Sequence, residues 1–241
     1  RPLGPSTYYT RLTQRLIAAI SAPTAEGTLY EVDLRLRPSG NKGPVATRFG
    51  AFSKYQRKDA WTWEHMALTR ARVLAGNEDF AAKIGSEISS ILSLPRDVAK
   101  TAKEVREMRA LIGEEKPPKG KWDFKLMPGG LIDLEFLTQF AAITNQAGLR
   151  TVETSKALSH LKIADMQEDA RGELASAHLL FSNLTQVLRL CLKEEPADSD
   201  LPQGLSEIMC RLSGLPDAAT LAAHVKDTAR KVREIFDRTL R

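Results

Sequence analysis

Apolar positions recur at helical spacing along most of this chain. Between residues 6 and 21, Leu12, Leu16 and Ile20 share one stripe, with Ser6 and Thr7 available as caps after Pro5, and the spacing predicts a helix. After the breaker run Ser21 to Gly27, residues Leu29 to Arg37 switch to period two. Tyr30, Val32, Leu34 and Leu36 fall on one side and Glu31, Asp33, Arg35 and Arg37 on the other, which predicts a strand with one buried and one charged face. Pro38 to Pro44 reads as an exposed turn-rich loop, followed by a second short strand at Val45 to Arg48. From Phe49 onward the pattern is helical throughout: Phe52 to Tyr55 running into Trp61 to Ala75, then Phe80 to Leu92, Val98 to Ile112, Leu131 to Thr144, Thr154 to Leu161, Gln167 to Leu192, Leu205 to Leu212 and Ala218 to Leu240. Breakers at Gly113 to Gly120, Pro196 to Gly204 and Gly214 to Pro216 separate them. The expected class is α+β and mostly helical, with short strands and helices first and an α-helical bundle after them.

Composition narrows this reading. With 241 residues, 42% of them hydrophobic, the chain can bury a core. No apolar run reaches the ~18 to 20 residues of a membrane span, and Arg1 to Tyr9 has no apolar signal region. Cys191 and Cys210 sit in helical surroundings without nearby His, so a reducing cytoplasm is the expected location. The net charge of +5 is uneven: residues 1–72 carry 12 Lys and Arg against 5 Asp and Glu, the remainder 23 against 25. A basic first third suits a phosphate-rich partner or a solvated face. The later helices show no sustained Lys/Arg stripe with interleaved aromatics, so nucleic acid is not the expected partner.

Three clusters carry candidate chemistry. On the charged face of the predicted strand, Asp33 precedes Arg35 and Arg37 at two-residue steps, at a rise of ~3.3 Å per residue. Such a row either holds a metal and neutralises phosphates in nucleotidyl transfer or forms a solvent-facing ion-pair ladder. The following Ser39, Gly40, Lys42 and Gly43 suit a phosphate cradle or an ordinary turn, without the spacing of a P-loop.

The second cluster is Trp61, Trp63, Glu64, His65, Arg70 and Arg72. Two helical positions separate the arginines by about 200°, so both cannot face one small ligand; the tryptophans read as core anchors and His65 as a hydrogen-bonded packing residue. The third is Lys125, Gly129, Gly130, Asp133 and Glu135. A glycine pair lets a ligand approach a helix N-terminus, and Asp133 complements the dipole. Glu135, among Leu131, Leu134, Phe136 and Leu137, needs a cationic partner, expected from Lys125, Arg106 or Arg109.

Taken together, Leu29-Tyr-Glu-Val-Asp-Leu-Arg-Leu-Arg-Pro-Ser-Gly40, Ala60-Trp-Thr-Trp-Glu-His-Met-Ala-Leu-Thr-Arg-Ala-Arg72 and Lys125-Leu-Met-Pro-Gly-Gly-Leu-Ile-Asp-Leu-Glu-Phe136 resemble the bacterial glutamine synthetase adenylyltransferase family in order and interval. The forms resemble its C-terminal, adenylylating unit. The resemblance is strong from Tyr8 to about Phe140 and rests on helical character beyond.

The resemblance implies transfer of AMP from ATP to a tyrosine of glutamine synthetase, with Mg²⁺ as cofactor and glutamine synthetase and the PII regulatory protein as partners. It implies a partial nucleotidyltransferase domain at residues 1–75 and a helical bundle at 76–241. Asp33 matches the third metal-binding carboxylate. The family's upstream acidic pair has no counterpart here, so the isolated chain is expected to be inactive. Arg35, Arg37, Ser39, Lys42, Arg72 and Lys125 are the expected phosphate or substrate contacts, with Glu64, Asp133 and Glu135 in support. The alternative is a non-catalytic helical module that docks on glutamine synthetase or PII.

Overall fold

The computed structural model describes residues 3–28, 30–147, 150–163, 166, 168–193, 196 and 201–241, the side chain of Glu168 excepted. Leu29, Gln167 and much of the breaker after Pro196 therefore lie outside the described residues. The chain divides into two compact units, Arg1–Leu68 with Arg72–Ile91, and Thr69–Ala71 with Leu92–Arg241.

The first unit opens with helix α1, Pro5–Ile20, started by Pro5 in its first turn. None of its residues is buried, and Tyr8, Tyr9, Leu12 and Leu16 are each about half exposed. A two-residue antiparallel hairpin follows, β1 Pro23–Thr24 and β2 Gly27–Thr28, turned by Gly27 at φ +106°. The predicted strand to Arg37 is not formed, nor is the one at Val45 to Arg48. The reason is local: the Asp33 carboxylate accepts the Arg35 backbone N–H at 2.9 Å, a side-chain bond that replaces ladder pairing. Among the described residues no other strand offers the segment a partner, and a lone strand leaves its backbone groups unpaired. Tyr30, Val32 and Leu36 consequently stand exposed.

Helices α2 (Phe49–Lys58), α3 (Thr62–Leu68) and α4 (Glu78–Leu92) complete this unit. Ser53 and Arg57 of α2 donate to Glu87 of α4 at 2.6 and 3.0 Å, and Phe49 meets Phe80 edge-on. Asn77 caps α4 through the Phe80 N–H. Helix α3 stops at Leu68, seven residues before the predicted end at Ala75. Its inner face is Glu64, His65 and Met66, so the tryptophans are not core anchors: Trp61 is 70% exposed and Trp63 37%. His65 is the expected packing residue, buried with Nε2 2.7 Å from the Gln56 carbonyl.

The second unit is wholly helical, with α5 (Val98–Glu115), α6 (Leu131–Ile143), α7 (Thr154–Ser159), α8 (Glu168–Cys191), α9 (Gln203–Ser213) and α10 (Ala218–Thr239). Every one matches a predicted helix to within a few residues. Asp97 and Asp217 cap α5 and α10, and Gly214 ends α9 at φ +69°. The core gathers Val105, Leu134, Phe140, Leu174, Phe181 and Phe236, with Phe124 stacked on Phe181 at 5.8 Å. Helix α6 is buried on nearly all sides, because α5, α7, α8 and α10 all pack against it.

Candidate functional site

In the first unit, Asp33 and Arg35 form a fork: Arg35 Nε lies 3.1 and 2.9 Å from the two carboxylate oxygens and Nη2 lies 2.6 Å from Oδ2. Both side chains are more than half exposed. The hydrogen bonds from Arg35 hold the Asp33 carboxyl at about 2, well below the usual carboxylate range, so Asp33 is ionised at neutral pH and a poor proton acceptor in this arrangement.

Arg37 turns inward instead. Its guanidinium donates to the carbonyls of Leu34, Asn41 and Gly43 at 2.6, 3.1 and 3.1 Å, and so staples the loop that follows. Ser39, at φ +62°, and Lys42, in the short 3-10 turn Gly40–Lys42, are exposed on that loop. The loop N–H groups of Gly40, Lys42 and Gly43 are bonded to Arg37, Ser39 and Gly40 carbonyls, so they are not aimed at a ligand. Glu64 ties α2 to α3, accepting the Tyr55 hydroxyl and the Trp61 N–H, both at 2.8 Å. Arg72 is exposed beyond the end of α3.

In the second unit, Asp133 is fully buried. It accepts hydrogen bonds from Arg109 Nε, from the Gly129 N–H at 2.6 Å and from Arg233 Nη1 at 3.3 Å. Arg109 also donates to the Leu126 and Met127 carbonyls, so one acid and one base join α5, α6, α10 and the loop at 125–130. The glycine pair serves this packing: a Cβ on Gly129 would stand 1.8 Å from the Ala229 carbonyl oxygen, and one on Gly130 2.4 Å from that of Phe124. The N–H groups at the start of α6 go to protein acceptors, Gly130 to Met127, Leu131 to Phe124 and Ile132 to Lys125. A ligand does not reach them. The Lys125 side chain is exposed.

Glu135 finds its cation elsewhere than expected. Its carboxylate pairs with Arg70 Nη1 at 3.0 Å, bringing the second motif to the third inside this unit. Lys125, Arg106 and Arg109 do not fill that role: Arg109 belongs to Asp133, and Arg106 to the Leu240 carbonyl. Beside the pair lies a cavity lined by Arg70, Arg150, Thr69, Thr138, Thr151 and Thr154. Arg150 is oriented by Ser93 Oγ at 3.0 Å and Asn145 Oδ1 at 2.8 Å. Leu92, Ala142, Ala147, Val152 and Ala157 complete the cavity's lining, so two guanidinium groups, each already paired, stand among threonine and apolar side chains. His178 of α8 sits within the field of the same pair; burial lowers its pKa, with Glu135 opposing and Arg70 reinforcing the shift.

Sequence reasoning missed Arg150 and His178, named Arg70 without assigning it to Glu135, and offered Arg109 as a partner of Glu135 and not of Asp133. The argument that Arg70 and Arg72 cannot face one ligand assumed a helix through both, and α3 ends before them. Arg109 carries a usable signal: an arginine at a buried position of a helix stripe, with an acid needed to neutralise it. No comparable signal marks Arg150, which is 57 residues from Ser93.

Metal binding tests poorly. Asp33 has both oxygens on Arg35, and among the described residues no group of three or more His, Cys, Asp or Glu stands together. These donors do not fit Mg²⁺, which prefers several oxygen ligands in octahedral array.

Residues 1–87 match the family described as Glutamate-ammonia ligase adenylyltransferase, and residues 106–240 that described as GlnD PII-uridylyltransferase. Along its whole length the chain is similar to bifunctional glutamine synthetase adenylyltransferase/adenylyl-removing enzymes. Identity is 54% to that of Mesorhizobium japonicum, covering 100% of this chain and 25% of the relative. It is 53% to that of Brucella suis biovar 1, covering 99% and 24%, and 49% to that of Rhizobium meliloti, covering 98% and 24%. The chain thus spans about a quarter of the length of these curated relatives. It belongs, through residues 106–240, to the GlnD PII-uridylyltransferase family, and its relatives from end to end are the adenylyltransferases that its three motifs resemble.

Proposed function

We propose that this chain is part of a cytoplasmic, multifunctional enzyme that transfers AMP from ATP to a tyrosine of glutamine synthetase and so regulates nitrogen assimilation. The relatives' names and the three motifs support this reading. The observation that supports it in the fold is the pairing of Arg70 with Glu135, beside a cavity that Arg70 and Arg150 both line. Residues 1–75 are the later part of a nucleotidyltransferase domain and 76–241 its helical domain. Glutamine synthetase is the protein substrate and PII a regulatory partner. The described residues contain no helix long and apolar enough to cross a membrane.

In the reaction a tyrosine hydroxyl attacks the α-phosphorus in line, forming a P–O bond as the bond to pyrophosphate breaks. Arg70, held by Glu135, and Arg150 bind oxyanions of the triphosphate and orient it. Arg35, Lys42, Arg72 and Lys125, all exposed, are further candidates for phosphate contact. Mg²⁺ is the ion proposed for the whole enzyme; no step is assigned to it here, because Asp33 is a single carboxylate already engaged by Arg35.

The test is AMP transfer to purified glutamine synthetase by the full-length polypeptide carrying this sequence, with and without Glu135→Gln. Loss of transfer with an unchanged melting temperature supports the reading. Unchanged transfer contradicts it.

A further inference from the structure

In the first unit, two of the sequence motifs meet on a hydroxyl that belongs to neither. The loop at 38–43 turns through two consecutive left-handed residues, Ser39 at φ +62° and Gly40 at φ +53°. A serine in that region carries backbone strain, which its surroundings have to hold. Arg37 draws the loop together by donating to the Leu34, Asn41 and Gly43 carbonyls, and a Cβ on Gly43 would stand 1.9 Å from the Pro38 carbonyl oxygen. These contacts are internal. They close the loop on itself without fixing where it stands relative to α2 and α3.

Tyr55 of α2 supplies that attachment. Its half-buried hydroxyl accepts the Ser39 backbone N–H and donates to Glu64 Oε1 at 2.8 Å, while Glu64 Oε2 accepts the Trp61 N–H at 2.8 Å. Among the described residues no other hydrogen bond or ion pair joins residues 34–44 to α1, α2, α3 or α4. A hydroxyl suits the place because it is acceptor and donor at once. Burial, reinforced by the Glu64 carboxylate, raises the phenol above its ordinary value of 10.0, so it keeps the proton that it shares with Glu64. Lys42 rides on the same loop with its side chain exposed.

We propose that Tyr55 is a positioning residue for the AMP transfer set out above: by fastening Ser39 to Glu64 it holds the loop, and Lys42 with it, against the phosphates of ATP. It acts through the loop and touches no reacting atom.

The test compares two losses of a hydroxyl from α2. Tyr55→Phe keeps the ring and removes both hydrogen bonds, whereas Ser53→Ala removes a hydroxyl bonded to Glu87 and not to the loop. In the full-length polypeptide carrying this sequence, Tyr55→Phe should raise the KM for ATP by roughly tenfold and change kcat less, while Ser53→Ala should leave KM unchanged. Trypsin cleavage after Lys42, read by mass spectrometry, should be roughly tenfold faster in Tyr55→Phe than in Ser53→Ala. Adding Lys42→Gln to Tyr55→Phe should cost little beyond Tyr55→Phe alone. With the parent active, an unchanged KM in Tyr55→Phe, an equal rise of KM in Ser53→Ala, or equal cleavage of the two variants would overturn the proposal. Absence of AMP transfer by the parent polypeptide would instead overturn the reading of function on which the proposal rests, and the proposal with it.

Discussion

Arg109 and Asp133, on neighbouring helices, form an ion pair that solvent does not reach, with side-chain exposures of 6% and 0%. Two charges in such a place are tolerable because each has further partners: Gly129 and Arg233 donate to the acid, and the Leu126 and Met127 carbonyls accept from the base. Removing the acid leaves a buried guanidinium without its counter-ion. Asp133→Ala is therefore expected to lower unfolding stability by about 3–5 kcal/mol. Urea or thermal unfolding checks this, and a midpoint close to that of the parent chain would show that the cluster relaxes freely.

Gly129 and Gly214 make a matched comparison, since both have positive φ, +78° and +69°. At Gly214 an added Cβ meets open space, so Gly214→Ala should cost only the left-handed backbone strain, about 1 kcal/mol. At Gly129 the same methyl strikes the α10 backbone at Ala229, and α10 has to move. Gly129→Ala should be clearly the more destabilising, by about 2 kcal/mol or more beyond Gly214→Ala. Paired melting curves test the order.

His178 links stability to pH. Burial lowers its folded-state pKa below the ordinary value of 6.5, so the unfolded chain takes up the proton first. The sign follows: this residue makes no difference well above pH 6.5, and it costs stability as pH falls from there through the folded-state value. His178→Gln should flatten that part of the stability–pH profile. An NMR titration placing the His178 midpoint above 6.5 would contradict the reading.

Asp33 bears on the chain taken alone. With one carboxylate, both of whose oxygens lie on Arg35, the 241-residue chain is expected to show no AMP transfer to glutamine synthetase and weak affinity for Mg-ATP. Radiolabelled transfer by the 241-residue chain and by the full-length polypeptide tests this; equal rates from the two would refute it.

The helices of the second unit were legible because each carries a continuous 3.6-residue stripe and a cap or breaker at its ends, as Asp97, Asp217 and Gly214 show. The strand from Tyr30 to Arg37 was not, because period two signals a wish for a partner and not its presence; Asp33 instead closes a local turn on Arg35. The end of α3 was hidden as well, and with it the freedom of Arg70 to reach Glu135. In the third motif the need of Glu135 for a cation was readable, while its identity depended on tertiary packing. Asp133 was underrated as a dipole complement, although an acid four residues after a glycine in an apolar helix can fold back on that glycine's N–H.

The most direct measurement is a double-mutant cycle on Arg70 and Glu135 in the full-length polypeptide, reading kcat and the KM for ATP in AMP transfer alongside the melting temperature. If Glu135 holds Arg70 for an oxyanion of ATP, Arg70→Ala and Glu135→Gln should each raise KM or lower kcat by roughly tenfold or more, the double variant should be little worse than Arg70→Ala, and the melting temperature should barely move. Full activity in both single variants, or losses that simply multiply in the double variant, would contradict the account.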